Sequence, residues 1–62
     1  MVLQFKIGNE PIVRHRMRII PAVGSTISLP RSHGGFRQVR IKHIVYTESN
    51  KLSEAIFHGE WL

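Results

Sequence analysis

The chain has 62 residues, enough for one small domain near the lower limit at which an apolar core suffices without disulfides or metal. Nine Lys and Arg against four acidic residues give a formal net charge of +5, and there is no cysteine and no aspartate. This excludes a disulfide scaffold and thiolate metal sites, while 42% hydrophobic and 21% charged residues speak for a folded domain rather than a disordered chain.

Taken in chain order, the first predicted element is a strand from Val2 to Ile7, where Leu3, Phe5 and Ile7 alternate with Gln4 and Lys6. Gly8, Asn9, Glu10 and Pro11 supply turn chemistry, and alternation resumes from Ile12 to Ile20 until Pro21 removes a backbone donor. Gly24 stands in a turn before a short strand from Thr26 to Leu29. Pro30, Arg31, Ser32, His33, Gly34 and Gly35 form the longest non-periodic segment, a loop. The longest predicted strand runs from Phe36 to Thr47, with Val39, Ile41, His43 and Val45 on one parity and Arg40, Lys42, Ile44 and Tyr46 on the other. After a turn at Glu48 to Lys51, Leu52 to Leu62 reads as a strand carrying Ala55, Phe57, Gly59 and Trp61, with a short helix near Ser53 as the competitor.

Five short strands joined by tight turns predict an all-β domain: a small, strongly bent antiparallel sheet or an SH3-like or OB-like barrel. Closing such a sheet hides edges that an open one exposes. An open sheet completed by dimerisation is the alternative, and Trp61 near the chain end is a candidate for either barrel closure or a homodimer contact. No apolar run approaches the roughly 20 residues that span a bilayer, and the first residues alternate instead of forming a signal-like block. The expectation is a cytoplasmic protein without a membrane partner.

The chemistry is concentrated in cations. Arg14, Arg16 and Arg18 share one strand parity, opposite Val13, His15, Met17 and Ile19, so a strand here presents a ladder of like charge that water or an anionic partner must accommodate. Arg40 and Lys42 on the long strand extend the pattern, with Arg37, Phe36 and Tyr46 as secondary candidates. Arginine forks bind phosphate or carboxylate in bidentate fashion, and aromatics stack on exposed bases. The loop Arg31, His33, Gly34 and Gly35 is a candidate anion-facing nest. These features predict a non-enzymatic module that recognises a polyanionic surface, preferably nucleic acid, or alternatively an acidic protein surface.

The spacing of Pro21, Val23, Gly24, Ile27 and Leu29, then a polar loop, then Phe36, Val39, Ile41 and Ile44, resembles short SH3-like barrel proteins encoded by phages and prophages. The resemblance covers residues 20–45, with Ser25 standing where such proteins usually carry an acidic residue. It implies a compact binding module in the host cytoplasm, directed at nucleic acid or at a host protein, including components of host defence. It carries no catalytic residue.

Four histidines raise the question of metal. His15 and His43 both fall on predicted inner faces, but only Glu10, Glu48, Glu54 and Glu60 are available to join them, and no pair has a recognised ligand spacing. Satisfied core imidazoles are the expectation, with no metal and no cofactor. Nucleophilic catalysis has no aspartate to orient a histidine beside Ser25, Ser28, Ser32, Ser49 or Ser53, and the expectation is that the chain is not an enzyme.

Overall fold

The computed structural model describes residues 1–31 and 33–62. Strict alternation builds β1 (Val2–Ile7), whose Leu3, Phe5 and Ile7 are buried while Gln4 and Lys6 face away from the core. Gly8 takes a φ of 57°, and the amide of Glu10 donates to the carbonyl of Ile7 at 3.1 Å, which closes the turn into β2 (Val13–Arg16). The remaining strands are β3 (Thr26–Pro30), β4 (Phe36–Val45) and β5 (Ile56–Trp61).

All five strands form one sheet in the order β2-β1-β5-β4-β3, curled strongly into a half-barrel. The expected bent five-stranded all-β domain is what the chain forms. Three pairings are antiparallel, but the central pair β1 and β5 runs parallel, with Phe5 opposite Phe57. Alternation within a strand does not disclose this, because it fixes faces and leaves neighbours open.

Leu3, Phe5, Ile7, Leu29, Val39, Ile41, Ala55 and Phe57 make the core, with Met17, Ile27, Ile44, Leu52 and Trp61 packed around it. The Phe5 and Phe57 rings meet at 5.5 Å between centroids, tilted by 40°, a favourable aromatic geometry. Gly59 lies buried between β1 and β4, where a side chain would press on the backbone of Arg40.

Three departures from strict periodicity matter for the site. The Ile12 to Ile20 strand is shorter than expected: pairing closes at Met17, whose amide donates to the carbonyl of Met1 at 2.8 Å, and the chain then bends at Arg18 and Ile19 to reach the buried Pro21. The turn that follows is anchored to β4, with the amide of Gly24 donating to the carbonyl of Ile41 at 2.7 Å.

Second, β4 contains a bulge. Ile41 opposes Gly59 and His43 opposes His58, which leaves Lys42 as the extra residue. One inserted residue reverses parity beyond it. Ile44 therefore packs against the core while His43 and Val45 are exposed, and the expectation of an inward His43 is corrected.

Third, both readings of the last segment hold in part. Leu52–Glu54 is a single 3-10 turn packed against β1, and the strand begins only at Ile56. Among the described residues, no helix is long and apolar enough to cross a membrane.

Candidate functional site

The convex face of the sheet is where the cations gather. On β2, Arg14 and Arg16 are exposed and point away from the core, opposite Gln4 and Val2 of β1. Arg18 is exposed too, but it lies in the bend beyond β2, so the predicted ladder has two rungs in the strand and a third cation past its end. Arg40 is exposed on the outward parity of β4, opposite Glu60 on one side and Thr26 on the other. Lys42 is exposed at the bulge.

The strands carrying these two groups are not neighbours. β1 and β5 stand between β2 and β4, so the groups are separated by three interstrand steps of roughly 4.8 Å. What lies between them is itself basic. Lys6 of β1 is opposite His58 of β5, and His58 is opposite His43 of β4, so one row across three strands reads Lys6, His58, His43. The two imidazoles are stacked, 4.5 Å between centroids with planes within 9°. His58 is half-buried; burial, then His43 and Lys6, push its pKa below the ordinary histidine value, which favours its neutral form.

Glu60 is the sole carboxylate among the strand residues of this face. It approaches Arg40 at 4.0 Å with both side chains about half exposed, a pairing too solvated to neutralise the surface. Lys6 donates to the carbonyl of Glu10, so it also steadies the β1–β2 turn. Phe36, 74% exposed, opens β4 opposite Pro30, and Tyr46, 51% exposed, follows its last residue, so both aromatics are accessible at opposite ends of the strand.

Arg37 departs from this group. It pairs with Leu29 on the inward parity of β4, and its guanidinium lies 5.2 Å from the centre of the Trp61 ring. Arg37 Nε also donates to the carbonyl of Leu62 at 3.4 Å, while the Trp61 indole N–H donates to the carboxylate of Glu10. Trp61 thus packs at the margin of the core and ties β5 to the β1–β2 turn.

Around this cluster lies a groove of about 450 Å³ on the concave face, reaching from Val13 and His15 of β2 to Leu29 and Pro30 of β3. Arg31 and His33 stand at its rim. In the loop, Gly34 and Gly35 have φ of 94° and 72°, the amide of Arg31 donates to the carbonyl of Gly35, and that of Gly34 donates to Arg31. Those two N–H groups are committed to the turn, and the Arg31 and His33 side chains line the groove. Ser32 lies outside the described residues. His15 is half-buried with its ring 6.0 Å from that of Phe5, and burial lowers its pKa. No group of three potential metal-ligating His or Glu side chains forms among the described residues.

Sequence reasoning missed Lys6 and His58 as partners of the arginines, although Lys6 already showed its outward parity in the alternation of β1. It also missed the meeting of Arg37, Trp61 and Glu10, whose residues are up to 51 positions apart and give no local signal. Searches against protein-family models, curated proteins and solved structures return no match for this chain.

Proposed function

We propose that this protein is a non-enzymatic binding module that recognises a polyanion, preferably nucleic acid, across the convex face of its half-barrel. The observation that carries the reading is the row Lys6, His58, His43, which bridges Arg14 and Arg16 to Arg40 on a face whose strand residues include one carboxylate, Glu60, among the described residues. A string of phosphates crossing the strands meets guanidinium groups first on β2 and again on β4, and exposed Phe36 and Tyr46 offer stacking surfaces at the ends. This chemistry reads backbone charge and base planes, so it recognises single strands with little regard to sequence.

A second reading has its own observation. Val45 and Ile56 are paired on the same convex face, so a small apolar patch borders the cations. Arginine beside exposed aromatic and aliphatic surface also suits an acidic protein partner, in keeping with the host-directed roles implied by the phage-type resemblance of residues 20–45. Both readings place a small module in the cytoplasm, alone or as a homodimer.

The test is retention of partners from a host lysate by the tagged protein, with and without nuclease. Loss of all bound material after nuclease supports nucleic acid. Stoichiometric retention of one acidic protein after nuclease overturns that preference in favour of the second reading.

A further inference from the structure

The concave groove is chemically distinct from the convex face and independent of it. Its lining includes the apolar Ile7, Val13 and Leu29, and its β3–β4 side is cationic, with Arg31, His33 and Arg37. It opens between β2 and β3, the two strands that end the sheet, so neither edge is covered by another strand of the chain. The single acidic group in the lining, Glu10, is engaged by the indole of Trp61 at the β1–β2 turn, while Arg31 leaves the opposite end of the groove at β3. The groove therefore has an apolar body and a charged end.

We infer that this groove binds a nucleotide-like ligand, a planar aromatic ring bearing a phosphate, with the ring against Ile7, Val13 and Leu29 and the phosphate between Arg31 and Arg37. Three features select that chemistry. Two guanidinium groups with an imidazole at one end match a doubly charged phosphate through bidentate hydrogen bonds better than a neutral or cationic group. The volume of about 450 Å³ falls in the range of small-ligand sites, which are mainly apolar with a few convergent polar groups. Arg37 is held in position by the Trp61 ring, 5.2 Å from its guanidinium, and by the carbonyl of Leu62, which orders one of the two cations before a phosphate arrives. The phosphate can belong to a free mononucleotide or to the 5′ end of a strand; both present the same ring and charge.

Trp61 is the sole tryptophan and borders the groove, so its emission reports occupancy directly. The experiment titrates the full chain with adenosine 5′-monophosphate, adenosine, inorganic phosphate, and a short oligonucleotide with and without a 5′-phosphate, exciting at the red edge where adenine does not absorb. The expected result is a saturable change in Trp61 emission with the monophosphate, at least about tenfold weaker binding of adenosine and of phosphate alone, and a similar loss in Arg31→Gln. The emission of the unliganded Arg31→Gln variant is recorded beside that of the parent, and circular dichroism verifies that the variant is folded. Arg14→Gln with Arg16→Gln weakens the oligonucleotide arms and leaves the arm with adenosine 5′-monophosphate as in the parent, which separates the groove from the convex face.

Tighter binding of the 5′-phosphorylated than of the unphosphorylated oligonucleotide assigns the strand end as a source, and equal binding of the two beside a saturable monophosphate response assigns the mononucleotide. Two results overturn the inference: no change in Trp61 emission with any phosphorylated probe, or equal affinity in a folded Arg31→Gln variant. An emission that follows protein concentration instead of probe also overturns it, because a second copy of the chain then covers the groove.

Discussion

His43 and His58 stack face to face across the β4–β5 ladder, 4.5 Å apart, in the middle of a surface that also holds Lys6. A proton gained by His58 there faces the cation of Lys6. Lys6 from β1, His43 from β4, and Arg40 with its partner Glu60 flank His58, and both His58 and the half-buried His15 have pKa values lowered in the fold.

A lowered histidine pKa means that the unfolded chain binds protons more readily than the native one. Stability is then full above the unfolded value of about 6.5 and declines as pH falls through the folded values. Thermal melts are expected to give a lower Tm at pH 5 than at pH 7.5, with a smaller difference in His58→Gln. An equal or higher Tm at pH 5 contradicts the lowered pKa values of His58 and His15.

The same protonation adds positive charge to the convex face. Affinity for a polyanion at fixed salt is therefore expected to rise between pH 7.5 and 5.5, and a His58→Gln variant is expected to show a smaller rise. Fluorescence anisotropy with a labelled oligonucleotide, under conditions where the melts show the chain folded, makes the comparison.

Gly59 is set by space. A β-carbon there would lie 2.8 Å from the Arg40 carbonyl oxygen and 2.8 Å from Val39 Cγ1, distances that force backbone as well as side chain to move. Gly59→Ala is expected to destabilise the domain by about 2–3 kcal/mol, toward the upper end of overpacking effects, which is much of the stability available to so small a core. Urea denaturation reads the loss. A variant as stable as the parent contradicts the close approach of β4 and β5.

The bulge at Lys42 makes a prediction opposite to strict alternation. Ile44 packs against the core and His43 is exposed, so Ile44→Ala is expected to cost about 1–2 kcal/mol, reduced from the range for fully buried sites because Ile44 is only half-buried. His43→Ala at pH 7.5 is expected to stay within about 0.5 kcal/mol of the parent. The reverse order in denaturation midpoints contradicts the observed register.

Much of this fold is visible in the residues because alternation is a local property. Leu3, Phe5 and Ile7 mark β1, and Val39 and Ile41 mark the inner face of β4 without knowledge of anything else. The outward arginines of β2 follow from the same rule. What alternation does not carry is adjacency: nothing near Lys6 indicates that His58 lies beside it, and the parallel pairing of β1 with β5 depends on the whole chain path. The bulge was hidden for a related reason, since an apolar Val45 on the expected inner parity reads as core until the ladder shows the extra residue. Arg37 illustrates the limit for the site. Its parity with Val39 was legible, but the Trp61 ring and Glu10 carboxylate that give that position meaning come from β5 and the first turn.

The account rests on the convex face meeting a chain of phosphates, and the salt dependence of binding tests this most directly. For a single-stranded oligonucleotide, each phosphate contacted contributes about −0.7 to the slope of log affinity against log salt. The parent is expected to show a slope of about −2 or steeper, and Arg14→Gln with Arg16→Gln to bind more weakly with a slope shallower by about 1.4 while remaining folded. A slope near zero, or one unchanged in the folded double variant, contradicts the convex face as the binding surface.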